Sequence, residues 1–575
     1  MLEECFGEGP FVFRLNDTGT GPQLLTQVCL ERGWKEFTSL NSDHWNLWWK
    51  TSGFPASHHR TLYAWQYINH IPKGSAICRK DNLTRYLRCM RKVYGSIYDF
   101  SPVGYNLPLE YTKLAAECSR SRPISAKESR GDDRHFQEKP VWICKPVGQS
   151  QGRGIFLFRK LSELTYDSNT IVQRYIERPL LIGGYKFDLR LYVCIPSYHP
   201  LTIYIYREGI TRFGTDKFSL NDLRNPFRHL TNSSINKLGP GYGELKERIG
   251  SGCKWTLRRL RRHFQQAGLS DWLLWQRISV LVILTILSHA AQIPQTVNCF
   301  EFFGFDVLID NALRPWLLEV NLGPALGNDC DVDTMVKKPM LHDMFDLLGF
   351  PLHNTGLSVF NIWNDEQDDD DEDDCLSNPK CHFKDVTKVS VLNAANKWRK
   401  RQRKLSATLR INSTTRRKNR VLSASMLIYV NVKALEIFFA ASKLTLPKIQ
   451  NGSTMSSLNQ KPNLNDEFPQ TKYLSDEAKR RRRWGNGRDW NSAPCSEGGW
   501  VRIWPMKLSE NDSDNNFYNS YNGTVNVKLM VAEVIKFSKM AKEIVKKHPT
   551  VSECQRNEFL IQGMEMTGDL WVPPI

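Results

Sequence analysis

Three polar side chains interrupt an otherwise apolar stretch at residues 300–321. Apolar runs flank two turn residues at 310–311, a pattern that predicts two β-strands joined by a short turn. Asp306 lies in the first predicted strand, whereas Glu319 and Asn321 share one face of the second because strand side chains alternate. Two carboxylates and an amide oxygen that converge would repel one another unless a cation lies between them, and such oxygen ligands suit Mg²⁺. The alternative is a strand pair with solvated acids at its ends.

A glycine-rich segment is the second feature that could do chemistry. A short strand at 141–146 carries Lys145 near its end, the loop 148–154 contains three glycines, and an apolar strand follows at 155–158. Glycines let backbone N–H groups approach phosphates, and Lys145 adds a positive charge. The absence of a GK[ST] sequence and of a helix directly after the loop argues against a P-loop. Alternatively, the glycines only turn the hairpin.

Two further apolar segments must position these groups. The strand at 171–176 could offer backbone groups to an adenine ring. In the strand at 186–193, polar and apolar residues alternate, which puts Lys186, Asp188 and Arg190 on one face. The competing interpretation of this mixed-charge row is a solvated strand face.

Composition restricts the class of protein and its partners. The 575-residue chain has a formal charge of +18, which indicates an acidic partner. Its fourteen cysteines show no CxxC spacing, so neither a zinc site nor a disulfide framework is predicted. The N-terminus does not resemble a signal peptide, and the apolar segment 278–287 is too short to span a bilayer. We therefore expect a soluble intracellular protein in which 278–287 is a buried helix.

Four motifs together resemble a known family. They are KPVGQSQGRGI, VQRYIERPLLIGGYKFDLRLYV, HLTN followed by INK, and FEFFGFDVLID followed by PWLLEVNLGPAL. Their order is similar to that of the tubulin tyrosine ligase-like family, over about residues 45–350, and the chain looks closest to the glutamylase branch. The resemblance implies an α/β ATP-grasp fold with N-terminal, central and C-terminal subdomains built on antiparallel sheets.

The resemblance also implies a set of functional residues. ATP contacts fall on Lys145, Gly152, Arg153, Gly154, Gln173, Arg174, Tyr175, Ile176, Lys186, Phe187, Asp188, Thr231 and Asn232. Mg²⁺ ligands fall on Asp306, Glu319 and Asn321, and catalytic roles on Arg190, Arg212 and Glu319. Substrate contacts fall on Arg153, Arg212, Ser233, Lys237 and Lys337.

The implied activity is ATP-dependent addition of free glutamate to glutamate side chains of tubulin tails, through an acyl phosphate. One departure affects the choice of amino acid, since many glutamylases of the family carry tyrosine where this chain has Ser233. A glycine or other amino-acid ligase, or a catalytically silent microtubule-binding protein, therefore stays an alternative. We expect a monomer in the cytoplasm and on the microtubule cytoskeleton, including cilia or flagella, without a membrane or nucleic-acid partner.

After residue 350 the sequence is dominated by runs of charged residues, first acidic and then basic. We predict a catalytic domain at 1–350, an acidic linker at 351–385, and a basic, largely disordered extension at 386–575 with helices at about 386–404 and 526–547. Residues 365–374 are nearly all acidic, and basic runs follow at 397–404, 416–418 and 479–483. The basic runs are interpreted as a microtubule-docking arm, with nuclear localisation or a solvated charge run as the alternatives.

Overall fold

The architecture consists of three β-sheets with helices packed on them, in a computed structural model of the chain. The structure describes residues 10–38, 45–63, 65–119, 140–149, 151–166, 169–352, 488–508 and 525–575. These residues belong to one of two units into which the chain divides, and the other unit lies outside the described residues.

Seventeen strands lie in the described residues. They are β1 (Val12–Leu15), β2 (Lys35–Glu36), β3 (Leu47–Trp49), β4 (Tyr67–Ile68), β5 (Gly104–Leu107), β6 (Trp142–Pro146), β7 (Phe156–Phe158), β8 (Thr170–Arg174), β9 (Leu181–Ile182), β10 (Tyr185–Tyr198), β11 (Leu201–Tyr206), β12 (Ile210–Lys217), β13 (Lys254–Thr256), β14 (Glu301–Ile309), β15 (Pro315–Leu322), β16 (Ser496–Glu497) and β17 (Trp500–Trp504).

Eleven α-helices lie in the same residues. They are α1 (Gln23–Glu31), α2 (Lys80–Tyr94), α3 (Tyr111–Ser119), α4 (Pro226–His229), α5 (Ser233–Asn236), α6 (Tyr242–Ile249), α7 (Leu257–Gln266), α8 (Trp272–Ala290), α9 (Asp331–Leu347), α10 (Val527–Lys547) and α11 (Glu553–Met564).

The N-terminal sheet differs from the expectation of antiparallel sheets. It has the order β2-β1-β3-β4, and all three of its pairings are parallel. Parallel neighbours need crossover connections, and α1 between β1 and β2 supplies one of them. The prediction of antiparallel sheets in all three subdomains is therefore wrong for this one.

The central and largest sheets are antiparallel, as expected. The central sheet has the order β5-β8-β6-β7. The largest has nine strands and is organised around the 14-residue strand β10, which pairs with β9, β11, β12 and β14. β14 and β15 form the predicted hairpin next to β10. The mixed α/β architecture and the hairpin are both confirmed.

Helix α8 is the predicted buried helix. Its apolar side chains surround the helix rather than forming a stripe, so it can only be stable inside a core. Ser279 and Thr285 satisfy their hydroxyl groups by donating to carbonyls one turn earlier, Trp275 O and Leu281 O. By length and composition α8 could also cross a membrane, but 83% of its most apolar 18-residue window is buried within the protein.

The described part of the C-terminal extension belongs to the same unit as the three β-sheets, which differs from the boundary predicted at residue 350. β17 pairs with β11 at the edge of the nine-stranded sheet, and α10 packs on α8. Trp571 is buried and donates its indole N–H to Tyr206 O at 2.9 Å. Apolar side chains of β17 and α10 need a partner surface, and the sheet edge together with α8 supplies it.

The predicted helix at 526–547 is confirmed as α10. The predicted helix at 386–404, the acidic linker 351–385 beyond residue 352, and the basic runs at 397–404, 416–418 and 479–483 lie outside the described residues.

Candidate active site

The β14–β15 hairpin places the three polar side chains together as the sequence pattern predicts. Asp306 pairs directly with Glu319, and Gly304 pairs with Asn321. Asp306 is 2% exposed, so it is not a solvated acid at a strand end. The Asn321 amide nitrogen donates to Glu319 Oε1 at 3.3 Å. Two carboxylates and one amide therefore share a single edge of the hairpin, where Asp306 is buried and Glu319 and Asn321 are half-buried.

Two arginines from neighbouring strands hold Asp306. Arg190 lies opposite Asp306 on β10, and its Nε and Nη2 donate to Asp306 at 2.6 and 3.1 Å. Arg212 on β12 donates from Nη2 to Asp306 Oδ2 at 2.8 Å and also binds Asp188 through two hydrogen bonds of 2.8 and 2.5 Å. These guanidinium groups outweigh the effect of burial and hold the pKa of Asp306 well below its usual range.

A glycine makes the approach of Arg190 to the hairpin possible. A Cβ atom at Gly304 would lie 2.9 Å from Pro324 Cβ and 3.2 Å from Arg190 Cδ. Both distances are shorter than ordinary van der Waals contacts. The side chain of Arg190 thus crosses β14 where the strand has no side chain of its own.

Glu319 has the opposite electrostatic environment to Asp306. Burial and the nearby Asp306 carboxylate raise its pKa, and the cations of Lys80 and Lys145 only partly oppose this. Lys80 Nζ is 3.8 Å from Glu319 Oε2. Two arginines neutralise Asp306, whereas Glu319 is only partly neutralised. The two carboxylates, with the Asn321 amide beside them, are a donor set that suits a hard divalent cation. The described residues contain no group of three His, Cys, Asp or Glu side chains that could hold a metal, so this set depends on Asn321 as its third member.

Lys145 projects from the end of β6 toward the same hairpin. Its Nζ donates to Gln173 Oε1 at 2.9 Å, and the Gln173 amide in turn donates to Pro102 O. Burial lowers the pKa of Lys145 to about 8, and the charge of Lys80 adds to this effect. Glu319 and Asp306 oppose this lowering only in part, so Lys145 favours binding of an anionic group such as a phosphate.

Lys186 ends a chain of buried hydrogen bonds. Its Nζ donates to Tyr175 Oη at 2.9 Å and to His229 O at 2.7 Å. His229 Nε2 lies 2.8 Å from the carbonyl oxygen of Asp222, and His229 Nδ1 lies 3.1 Å from the Tyr175 hydroxyl. Because a carbonyl oxygen can only accept, this geometry favours the tautomer in which Nε2 donates to Asp222 and Nδ1 accepts from Tyr175. Lys186 is only 6% exposed, and burial lowers its pKa to about 7. The solvated-face interpretation of this strand is therefore wrong at Lys186.

An open cleft separates the central sheet from the nine-stranded sheet, with about 810 Å³ of empty space when the part open to solvent is included. Many of the predicted nucleotide, catalytic and metal residues line it: Lys145, Gly152, Gln173, Arg174, Tyr175, Ile176, Lys186, Asp188, Arg212, Thr231, Asn232, Asp306 and Glu319. The glycine loop closes one side, where Gly152 has φ +80° and its Cα packs so closely on Asn232 and Ile235 that a Cβ would clash. Residues far apart in sequence thus meet around one cavity.

Some predicted residues do not line the cleft. They are Arg153, Gly154, Phe187, Arg190, Ser233, Lys237, Asn321 and Lys337. Phe187 is fully buried against Phe213 on the opposite face of β10, so a nucleotide in the cleft cannot contact its side chain. Lys237 instead forms an ion pair with Asp329, and Lys337 with Asp333. Arg190 and Asn321 remain attached to the site through Asp306 and Glu319.

The cleft also contains residues that the sequence-based set omits. Lys80, at the start of α2, is within ion-pair distance of Glu319 and donates to Gln149 O at 3.0 Å. Its position at the start of a basic helix, from which a lysine could reach a phosphate, was the available signal. Ile143, Leu308 and Leu318 supply apolar lining. The alternation of strand residues places Leu308 on the same face as Asp306.

The fold and the site define a mixed α/β domain with a basic cleft that opens onto a carboxylate-bearing hairpin. A model of the tubulin-tyrosine ligase family matches residues 57–355, just over half of the chain. The chain belongs to the tubulin-tyrosine ligase family.

Curated relatives lie in the glutamylase branch that the sequence motifs indicate. The chain is 46% identical over 357 residues to the human protein "Probable tubulin polyglutamylase TTLL2", covering 61% of this chain and 58% of that protein. It is 36% identical over 344 residues to mouse "Tubulin polyglutamylase TTLL5", covering 58% and 24%. It is 34% identical over 332 residues to mouse "Tubulin monoglutamylase TTLL4", covering 55% and 26%. The chain thus spans less than two thirds of the length of each of these relatives.

Proposed function

We propose that the protein is an ATP-dependent carboxylate–amine ligase that adds glutamate to glutamate side chains in the acidic tails of tubulin. One observation carries the proposal: a single cleft contains two lysines whose pKa values burial lowers, Lys145 from the central sheet and Lys186 from the nine-stranded sheet, together with an arginine–carboxylate network. The lysines suit a polyphosphate, and the network suits a carboxylate that is to be activated. The family membership supports the same reaction type.

The nucleotide would lie between the two antiparallel sheets. Lys145 and Lys186 would bind its phosphate groups, and the backbone of residues 173–176 would face the base. Thr231 and Asn232 line the same cavity and offer hydrogen bonds to the ribose or phosphates. Binding of a polyanion would restore the charge that burial disfavours on both lysines.

Asp306, Glu319 and Asn321 would hold Mg²⁺, as the carboxylate pair and its raised Glu319 pKa support. The ion, when bound, neutralises phosphate oxygens during phosphoryl transfer. The protein's own contribution is positional. Arg190 and Arg212 fix Asp306, and Asp188 fixes Arg212, so that the guanidinium groups are in place before substrates enter.

The chemistry follows from the weakness of a carboxylate as an acyl donor. An oxygen of the acceptor side chain attacks the γ-phosphorus atom of ATP, and ADP leaves. The amino group of the incoming glutamate then attacks the acyl phosphate, phosphate leaves, and the nitrogen loses a proton to give an amide. Negative charge develops on phosphoryl and carbonyl oxygens in both steps, and Arg212, which lines the cleft, lies where it can neutralise it. Arg190 acts through Asp306, to which it donates two hydrogen bonds.

The named glutamylases among the relatives support glutamate as the donor. Ser233 opens α5 and does not line the cleft, so it does not by itself favour another amino acid. Glycine stays an alternative donor, since no contact of Ser233 with the cleft decides between the two amino acids.

Tubulin as the partner is supported by the relatives and by charge. Helix α10 presents six exposed lysines: Lys528, Lys536, Lys539, Lys542, Lys546 and Lys547. A row of this kind attracts acidic peptides at moderate ionic strength. The proposed location is therefore the microtubule cytoskeleton of the cytoplasm, including cilia or flagella, with the protein acting as a monomer.

The test is incubation of the purified protein with microtubules, ATP, Mg²⁺ and one labelled amino acid at a time, beside the Glu319→Gln variant. Incorporation of glutamate alone, abolished in the variant, is the expected result. Incorporation of glycine instead would overturn the donor. Microtubule binding without any incorporation would favour the catalytically silent alternative.

A further inference from the structure

Helix α7 carries an unusual concentration of arginine. Its sequence is LRRLRRHFQQ, with four arginines in the first six residues. Arg261 is buried with the apolar side chains of the helix and forms ion pairs with Asp271 and Glu553. The other three arginines are exposed and form what we call the α7 arginine face: Arg258, Arg259 and Arg262.

This arrangement is unfavourable for the helix by itself. The amino end of a helix favours acidic side chains, because its free backbone N–H groups give it a partial positive charge, yet the first turn of α7 has no acidic residue. Arg258 and Arg262 are four residues apart, so their like charges lie side by side and repel each other. Among the described residues, only Arg261 of the four arginines forms an ion pair.

The start of α7 is nevertheless held firmly in place. The Thr256 hydroxyl accepts a hydrogen bond from the Arg259 backbone N–H, and Glu208 accepts from the backbone N–H groups of Gly209 and Arg258. The Arg259 guanidinium group lies over the Trp255 ring, 4.5 Å from its centroid. Glu208 thus binds backbone groups, and the positive charge of the α7 arginine face is left for a partner.

The α7 arginine face lies within reach of the catalytic cleft. In the nine-stranded sheet Lys254 of β13 pairs directly with Arg212, which lines the cleft. Paired Cα atoms in an antiparallel ladder are about 5 Å apart. Arg258 follows Lys254 by four residues, and four Cα–Cα steps span at most about 15 Å. The Cα atoms of Arg212 and Arg258 are therefore separated by at most about 20 Å, which about six residues of extended peptide cover.

We propose that the α7 arginine face binds acidic residues of the acceptor peptide that flank the glutamate held in the cleft. The inference rests on the proposed ligase function and deepens it, because it assigns part of acceptor recognition to a surface outside the cleft. Arginine suits this role, since its planar guanidinium group binds a carboxylate through two parallel hydrogen bonds. A peptide with several carboxylates would also offset the repulsion between Arg258 and Arg262.

The experiment compares two synthetic acceptor peptides as substrates of the full-length protein. Both contain one acceptor glutamate, and they differ at about six to ten positions from it on either side, where one has glutamate and the other glutamine. The test variant is Arg258→Gln/Arg262→Gln, and Arg258→Lys/Arg262→Lys keeps the charge without the planar group. The matched control, Arg60→Gln/Lys92→Gln, removes two exposed positive charges elsewhere. Ligation rates give kcat and KM for each peptide and KM for ATP.

We expect the unmodified protein to have a KM about 10-fold lower for the peptide with acidic flanks, since a few exposed charge pairs each contribute a few-fold. The test variant should lose most of this preference, while its KM for the other peptide and for ATP stays within about 2-fold. The lysine variant should keep part of the preference, and the control should keep all of it. Added salt should reduce the preference of the unmodified protein.

Thermal unfolding separates recognition from a structural role. The test variant should unfold at the same or a slightly higher temperature than the unmodified protein, because a repulsive pair is removed. A lower unfolding temperature together with weaker ligation of both peptides would instead show that Arg258 and Arg262 stabilise the fold, and would overturn the inference.

An undiminished preference in the test variant, or an equal loss in the control, would also overturn the inference. Arg262→Gln alone supplies the same comparison should the double variant not fold. If the unmodified protein ligates neither peptide, the proposed function fails. The α7 arginine face is then tested by binding alone, from the fluorescence anisotropy of the labelled peptide with acidic flanks, which the test variant should bind more weakly than the control.

Discussion

Replacement of Lys186 with methionine should change the number of protons taken up when the nucleotide binds. In the free protein the pKa of Lys186 is lowered to about 7, so this side chain is about half protonated at pH 7 and about one-tenth protonated at pH 8. A bound polyphosphate favours the protonated form. Nucleotide binding should therefore draw about 0.5 proton into Lys186 at pH 7 and about 0.9 at pH 8.

The sign of the pH effect follows from these protonation states. Because the complex holds more protons than the free protein, affinity for the nucleotide should fall as pH rises through 7. The stability of the free protein should change in the opposite direction, since the unfolded chain keeps a lysine pKa near 10.5 and binds more protons between pH 7 and 10.5. The free protein therefore loses stability through this group as pH falls from 10.5 toward 7, and the contribution changes little below 7.

The assay is titration calorimetry of a non-hydrolysable ATP analogue in buffers with different ionisation enthalpies. The difference in proton uptake between the unmodified protein and Lys186→Met should be about 0.9 at pH 8. Lys186→Arg keeps the charge without titrating and should take up as few protons as the methionine variant. Lys539→Met removes an exposed lysine outside the cleft and should behave like the unmodified protein. Equal uptake by the unmodified protein and Lys186→Met would refute the reasoning.

Three further predictions concern the metal site, the arginine network and the C-terminal segments. Glu319→Gln should lower kcat/KM for ligation by roughly 10²–10³-fold in steady-state assays and leave the circular dichroism spectrum unchanged, because it removes one oxygen ligand without changing side-chain shape. Asp188→Asn should lower the free energy of unfolding in urea by about 3 kcal/mol, because a buried guanidinium group loses part of its compensation. A chain ending at residue 487 should fail to fold or should aggregate, which size-exclusion chromatography would detect. It loses the four buried apolar side chains of β17, and at about 2 kcal/mol each their loss approaches the stability of a whole domain.

Controls separate these effects from general damage. Asp569→Asn removes an acid that is 67% exposed and pairs with Arg207 at 3.2 Å, and it should change stability by less than about 1 kcal/mol. An Asp188→Asn variant as stable as this control would contradict the role of the network. A soluble, folded chain ending at 487 would show that β17 and α10 are dispensable, and full ligation by Glu319→Gln would remove Glu319 from the metal site.

The hairpin could be predicted because its information is local. Residues 300–321 contain the period-two alternation, the turn residues between two apolar runs and the three polar side chains that an apolar strand would not carry. The structure pairs Asp306 with Glu319, as this local pattern predicts. The burial of Lys186 could not be derived in this way. Its partners Tyr175 and His229 are close only because two sheets and a short helix meet there.

Phe187 and β17 show two further limits. The family resemblance implies Phe187 as a nucleotide residue together with Lys186 and Asp188, but alternation along β10 turns its side chain into the core. The run Trp500–Trp504 is rich in strand-forming aromatic residues, yet its partner strand β11 lies about 300 residues earlier, and no local pattern reveals such pairing. The basic composition of residues 386–575 predicted disorder, but β17 within it is ordered and belongs to the nine-stranded sheet.

The most direct test of the central claim is mass spectrometry of tubulin tail peptides after incubation with the purified protein, ATP, Mg²⁺ and glutamate, with ADP measured in the same reaction. The account predicts an added glutamyl unit on a glutamate side chain and one ADP for each unit added. Peptides of unchanged mass, or additions formed without consumption of ATP, would contradict it.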